Sequence, residues 1–448
     1  MSDARAASAA ALAQLAAWAA QARLADMPAT VVQRAALVLA DDLAAMVAAR
    51  DEPEVAAAHA RILARDAARE ATVFRGGAAR TERTWAAVAN GIAADWMELD
   101  EGYRPVPCHA GLYVLPALLA EAEATNLPLG EVLRCLVLGY EITTRLARAW
   151  QLKAPNIQPH GRFSAIGAAA AIALARGHDE HTLAAALGSA VTLSGLSPRT
   201  HLAEGTLSRN VWPAAGAWAG TMAVEWAECG IGGALTAFHD GYSTLLGGEC
   251  DPKVLTHALG ADWAVLAGYT KTYACCQHLH SAVEAALACN IDTLEAIDAI
   301  EVQSHPLALQ LTDARPRTTL GAKFSMPHAI AAVLVHHSAG PEAFAASTLD
   351  DERIARMRPL VRMSAFEPLP QPPHDRPARV TVRLRDGRTL SSECLSALGS
   401  PDRPLDADAV FAKVAQLASP VYPHMAKVLR DAPHHLSQGW RDIVARFA

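Results

Sequence analysis

Tyr269-Thr-Lys-Thr-Tyr-Ala-Cys-Cys-Gln-His-Leu-His280 stands where the chain changes character, from helix after helix to period-two alternation. Six of the 39 Lys+Arg residues are lysines, and one of them, Lys271, lies in this stretch beside two cysteines and two histidines. Arginine stays charged at any accessible pH, whereas a desolvated lysine can lose its proton, so Lys271 is a candidate for chemistry. A surface lysine beside a buried cysteine-bearing strand would give the same letters. Upstream, Ala4 to Leu24, Thr30 to Ala49, Thr84 to Trp96, Leu112 to Ala124, Leu129 to Trp150, Phe163 to Arg176, Glu180 to Leu193 and Asn210 to Cys229 carry apolar residues at helical spacing. Breakers such as Met27-Pro28, Asn126-Leu-Pro128 and Gly230-Ile-Gly-Gly233 separate them, and Asp179 reads as a cap. Small residues at close intervals, as in Ala214-Ala-Gly-Ala-Trp-Ala-Gly220, let helix axes approach and predict a bundle.

Downstream, Ala299 to Ser304 and Ala378 to Leu384 alternate apolar and polar residues, and Asp386-Gly387 turns into a further strand over Arg388 to Cys394. Helices are expected at His280 to Asn290, Pro327 to His336 and Asp350 to Met357, with Glu367-Pro-Leu-Pro-Gln-Pro-Pro373 as a connector. Asp406 to Leu417 and the tail return to helix. The expected fold is therefore mostly α: a large all-helical domain over residues 1–267, completed by helices in 399–448, and a smaller α+β domain over 268–398.

Length and composition set the functional class. A chain of 448 residues, 52% hydrophobic and 19% charged, describes a globular protein of two or three domains. A net charge of -7 without a basic run argues against nucleic acid and against an anionic membrane surface, leaving small metabolites or proteins as partners. Met1 to Thr30 lacks the apolar core of a signal peptide, and Ala165 to Ala175 is too short to span a bilayer. Eight irregularly spaced cysteines form no disulfide framework, so a reducing cytoplasm is the expected setting.

Three helix junctions carry polar clusters. Glu98-Leu-Asp-Glu101, followed by Cys108-His109, puts three carboxylates and a histidine at a helix-loop-helix junction. Like charges raise one carboxyl pKa and a carboxylate raises that of histidine, so the junction can hold a general acid and a general base, or else a solvated capping loop. Asn156-Ile-Gln-Pro-His-Gly-Arg162 opens a helix, where backbone N–H groups favour an anion. Ser197-Pro-Arg-Thr-His201 and Glu204-Gly-Thr-Leu-Ser-Arg209 form the third, and arginine pairs with carboxylate through two hydrogen bonds. Cys275, Cys276, His278 and His280 do not make a zinc site, because adjacent cysteines suit one tetrahedron poorly and neither a CxxC pair nor HExxH stands nearby. The sequence has no G-x-S-x-G and no Gly-rich phosphate loop, which argues against a serine hydrolase and against nucleotide cofactors.

In their order these segments resemble the MmgE/PrpD family, which includes 2-methylcitrate dehydratase, cis-aconitate decarboxylase and iminodisuccinate epimerase. The markers are Asn90-Gly-Ile-Ala-Ala-Asp-Trp-Met-Glu-Leu-Asp-Glu101 with His109 and Pro116-Ala-Leu-Leu-Ala, then Gly139-Tyr-Glu, then Glu204-Gly-Thr-Leu-Ser-Arg209. Lys271-Thr-Tyr-Ala-Cys-Cys276 with His280, and Ala322-Lys-Phe-Ser325, complete them. The resemblance implies a cofactor-independent homodimeric enzyme with a helical domain, an α+β lid and a cleft between them. Its substrate would be a small di- or tricarboxylate from which a proton is moved next to a carboxylate. Carried over by position, the acidic residue falls on Glu98, the loop histidine on His109 and the lid lysine on Lys271.

Several positions depart from the pattern. Gln158 stands where many members carry histidine, with His160 two residues on; Arg209 replaces a lysine, His328 a tyrosine, and Glu98 an aspartate. Gln158 and Arg209 can bind a carboxylate but are poor proton carriers. The resemblance therefore implies His109 as the proton-transfer group, oriented by Glu98 or Asp100, with Lys271 stabilising enolate-like charge. Arg209, Gln158, His160, His328 and Tyr273 are expected to bind substrate, and no metal is expected. A dehydratase of the 2-methylcitrate type is the expected activity. The alternatives are an epimerase of a substituted succinate, a cis-aconitate-type decarboxylase, and an inactive carboxylate-binding protein.

Overall fold

The computed structural model describes residues 2–152, 157–195, 197–291 and 293–448, so Asn156 of the second junction lies outside the described residues. Eleven α-helices precede the changeover among those residues. They are α1 (Ser2–Gln21), α2 (Ala29–Ala48), α3 (Pro53–Leu63), α4 (Arg83–Ala93), α5 (Ala110–Thr125), α6 (Leu129–Ala149), α7 (Pro159–Ala175), α8 (Glu180–Leu193), α9 (Thr200–Ala203), α10 (Trp212–Glu228) and α11 (Pro252–Thr256). Helix α7 is the centre of the bundle, buried from His160 to Leu174 and packed by α5, α6, α8 and α10. Close approach requires its small residues. A Cβ added at Gly216 of α10 would fall 2.2 Å from Ser164 Cβ, and one at Gly220 2.5 Å from Ala168 Cβ.

Two helix starts differ from the sequence reading. Helix α7 begins at Pro159 rather than Phe163, because the Gln158 side chain accepts the His160 N–H at 2.7 Å and proline suits the first helical position. That draws His160 into the helix. The helix read from Asn210 splits into a 3₁₀ turn, Leu207–Val211, and α10, with Pro213 in the first turn of the latter. Helix α3 was not expected. It is a short, alanine-rich helix that buries only Val55, His59 and Ile62, along one face.

Beyond residue 268 a four-stranded sheet runs in the order Thr389–Cys394, Ala378–Leu384, Ile297–Ser304, Val361–Ala365. The first three strands are antiparallel, with Ser391 opposite Thr381 and Val302 opposite Val380; the last pairs parallel, Ile300 opposite Val361. This edge strand was not expected from the sequence; it is five residues long and turns only Val361 and Met363, both half-buried, toward the core. Helix α12 (His280–Ala288) covers the sheet, and α13 (Thr319–Lys323), α14 (Met326–His336) and α15 (Glu352–Met357) follow. The chain then returns: α16 (Ala407–Ala418) and α17 (Met425–Asp431) pack on α2, and α18 (Trp440–Val444) on α5. No described helix is long and apolar enough to cross a membrane.

A two-residue strand pair aligns the two parts of the chain. Gly102 pairs with Tyr269 and Tyr103 with Gly268, laying the start of the opening stretch along the acidic loop. Glycine is required at 102, since a Cβ there would fall 2.2 Å from the Tyr269 ring. Gly102→Ala is expected to cost about 1–3 kcal/mol through this overpacking. Gly241→Ala, which meets nothing within 4 Å, should stay within about 0.5 kcal/mol. Paired urea unfolding curves check both.

Candidate active site

Glu98 sits in the left-handed region, φ 52°, which is uncommon for a residue with a side chain and recurs at functional sites. From there its carboxylate reaches two cations: Oε1 lies 2.6 Å from Arg209 Nη1 and Oε2 2.8 Å from Lys271 Nζ. The pattern continues outward in both directions. Lys271 Nζ also donates to Asp100 Oδ1 at 2.9 Å, and Asp100 Oδ2 is 2.7 Å from His109 Nδ1. Arg209 Nη1 donates to Asp95 Oδ2 at 2.6 Å, and that oxygen is 2.9 Å from His160 Nε2, whose Nδ1 meets Tyr113 OH at 2.8 Å. The His109 and His160 rings touch edge to face, centroids 5.0 Å apart, so the series His109, Asp100, Lys271, Glu98, Arg209, Asp95, His160 closes into a ring of alternating charge.

Its charge state follows from burial and neighbours. Burial opposes charge on Glu98, but Arg209 and Lys271 outweigh it and hold the carboxyl below its ordinary value. Asp100 is likewise buried, and Lys271 with His109 holds it far below the usual carboxylate range. Lys271 is buried too, yet Asp100 and Glu98 raise it well above an ordinary lysine, so it is a fixed cation and not the proton-losing lysine that its sequence setting allowed. Burial pushes Asp95 up to about 8 even beside Arg209, and burial with Arg209 holds His160 well below its ordinary value. Near neutrality two cations thus face two anions, with Asp95 and His160 uncharged. Behind the loop, burial pushes Glu101 up to about 7 while it accepts the Gly111 N–H at 2.7 Å and the Tyr140 hydroxyl at 3.0 Å.

The ring opens on one side to a cavity of about 140 Å³ between the helices and the sheet-bearing part. Glu98, His109, Gln158, Arg209 and Lys271 line it. His109 Nδ1 lies between Asp100 Oδ2 and the Glu101 carbonyl, 2.9 Å away; both are acceptors, so Nδ1 carries the proton and Nε2 is left for the cavity. Lys271 has given two of its three N–H groups to carboxylates and keeps one.

Other expected site residues are engaged by the protein itself or lie outside the cavity. His160 is buried beneath the cavity wall by its place in α7, so it supports Asp95 instead of meeting a ligand. The Arg209 charge is already met by Asp95 and Glu98, and the Gln158 oxygen is occupied as the cap of α7. His328 does not reach the cavity. Ser325 caps α14 by accepting the His328 N–H, and the buried ring then faces Thr348 and Phe344. Tyr273 points its hydroxyl at Glu284 Oε2, 3.4 Å away, and packs against His280, also outside the cavity.

Asp95, Tyr113 and Arg376 were missed, whereas Arg199 stood in the third junction. Asp95 stood inside a quoted marker, but only the fold brings it to Arg209 from over a hundred residues away. Among the described residues no group of His, Cys, Asp and Glu could hold a metal ion.

The family model for the MmgE/PrpD N-terminal domain matches residues 13–252, and that for the MmgE/PrpD C-terminal domain matches residues 273–437. The chain belongs to the MmgE/PrpD family. A similar MmgE/PrpD relative is the cis-aconitate decarboxylase-like protein oryM of Aspergillus oryzae (strain ATCC 42149 / RIB 40). It is 27% identical over 444 residues, covering 91% of this chain and 90% of the relative.

The raised carboxyls fix a pH dependence. Above the ordinary carboxyl range the folded chain keeps protons on Asp95 and Glu101 that the unfolded chain has lost, so the contribution of these two groups to stability falls as pH rises. The loss is expected between about pH 4 and about pH 8. Asp95→Asn, which mimics the protonated carboxyl, should make the slope of unfolding free energy against pH shallower across that window.

Proposed function

We propose that this chain is an enzyme that moves a proton next to a carboxylate of a small di- or tricarboxylate, as a dehydratase of the 2-methylcitrate type. One observation carries the reading. His109 lines the cavity with Nδ1–H fixed on Asp100 and the Glu101 carbonyl, which leaves its Nε2 for the substrate beside the Lys271 cation.

His109 Nε2 takes the α-proton. The buried Asp100 carboxylate stabilises the imidazolium that results, as a carboxylate partner does for any catalytic histidine. The remaining Lys271 N–H faces the oxygen on which enolate charge builds, and a preorganised cation there lowers the barrier without reorganisation. Where the substrate carries a β-hydroxyl, the imidazolium returns its proton to the leaving hydroxyl and water departs. The similarity to the cis-aconitate decarboxylase-like Aspergillus protein favours a second reading, cis-aconitate-type decarboxylation, in which His109 starts as the imidazolium and gives its proton to the carbanion left by CO2. A protonation on the opposite face, without loss of a group, would make the enzyme an epimerase of a substituted succinate. The proposed setting is a homodimer in the cytoplasm.

The test is incubation in D2O with citrate, 2-methylcitrate, aconitate and substituted succinates, followed by NMR. Proton exchange with a new alkene supports the dehydratase, release of CO2 the decarboxylase, and exchange with inversion the epimerase. His109→Ala should lower turnover at least about a hundredfold with the circular dichroism spectrum unchanged. Near-normal turnover in that variant would remove His109 from the mechanism.

A further inference from the structure

The cationic groups of the cavity divide into two kinds. Arg209 and Lys271, at the inner end, are each bound to two carboxylates of this chain, so their charge is balanced before any ligand arrives. At the outer end stand Arg199 and Arg376, and among the described residues neither has a carboxylate within ion-pair distance. The partners of Arg376 are neutral acceptors: Nη1 donates to the Gln277 side-chain oxygen, and Nη2 to the Arg104 carbonyl at 3.4 Å. Asp375, the adjacent acid, is taken by Arg104 at 2.6 Å. Arg199 donates only to Gln310 Oε1, at 3.3 Å. Burial, with Arg104 nearby, lowers Arg376 to about 10, which leaves it charged at neutral pH and in an environment that carries surplus positive charge.

A guanidinium in a partly closed cavity, held in place by neutral acceptors and lacking a counter-ion, has its strongest available partner in an incoming carboxylate. The inner ring offers an incoming carboxylate only the one remaining Lys271 N–H, since its cations are already paired with Asp95, Glu98 and Asp100. We infer that Arg376, seated by Gln277 and assisted by Arg199, is the specificity-determining residue that receives the non-reacting carboxylate of the substrate. This rests on the reading of the cleft as a carboxylate site. It selects polycarboxylates over monoacids, because the carboxylate beside the reacting carbon must lie at His109 and Lys271 while a second one reaches the outer wall. The position was absent from the expected binding residues, which had assigned this task to Arg209.

The test uses the full chain, its Arg376→Gln and Arg376→Lys variants, and tricarballylate as a non-reacting tricarboxylate probe in calorimetric titration. Arg376→Gln should weaken binding at least about thirtyfold and Arg376→Lys by less, since lysine keeps the charge but loses the planar fork. In turnover the loss should fall on KM rather than kcat, and preference for a diacid over its remote monoamide should collapse in Arg376→Gln. Should Arg376→Gln fail to fold, Arg376→Lys carries the test through the same KM-against-kcat division. Unchanged probe affinity, a loss confined to kcat, or no binding of the probe by the unaltered chain overturns the inference. The two proposals fail separately. Probe binding that depends on Arg376 without any proton exchange sustains this inference and defeats the proposed catalysis, whereas exchange lost in His109→Ala but untouched in Arg376→Gln does the reverse.

Discussion

The carboxylate of Glu98, shared between Arg209 and Lys271, is the contact on which the rest of the site depends. Isolated buried charges cost several kcal/mol each to desolvate, so a buried carboxylate is tolerable only where cations and hydrogen bonds replace the lost water. Glu98 answers the two cations at once, and each cation then takes a second carboxylate, Asp95 or Asp100. Removing Glu98, Asp100, Lys271 or Arg209 leaves an uncompensated charge in the interior. The ring therefore joins four segments far apart in sequence, and the left-handed backbone at Glu98 is held by that requirement.

The same ring sets what each group can do. Its cations are paired with carboxylates, which makes Lys271 a fixed charge and Arg209 a structural partner, while Asp100 and the Glu101 carbonyl keep Nδ1 of His109 protonated and its other nitrogen available. In the proposed chemistry His109 is therefore the proton carrier, and the arginines without a carboxylate partner stand at the outer wall. The replacement of a lysine by Arg209 fits such an arrangement, since a group that only bridges carboxylates need not give up a proton.

Packing supplies the rigidity. Helix α7 brings Gln158 and His160 to the ring only because alanine and glycine along it let α5, α6 and α10 close in. Gly102 performs the corresponding task at the junction with the sheet-bearing part, where the Tyr269 ring occupies the space a side chain would fill. Carboxyls that stay protonated behind the loop, Glu101 among them, follow from the depth at which this packing buries them.

By itself the sequence determined the helical bundle, three of the four sheet strands, the acidic loop and Lys271, because periodicity, turn residues and residue chemistry are local properties that survive without the fold. Glu98, Asp100 and His109 were legible as a cluster for the same reason: they lie within a dozen residues of one another. Which charges meet was decided by tertiary structure alone. Asp95 finds Arg209, His328 turns away under Thr348, and Arg376 reaches the cavity through the docking of the connector against Arg104. Residue type says which partners are chemically possible, but burial and distance choose among them, and both come into being only when the chain has folded.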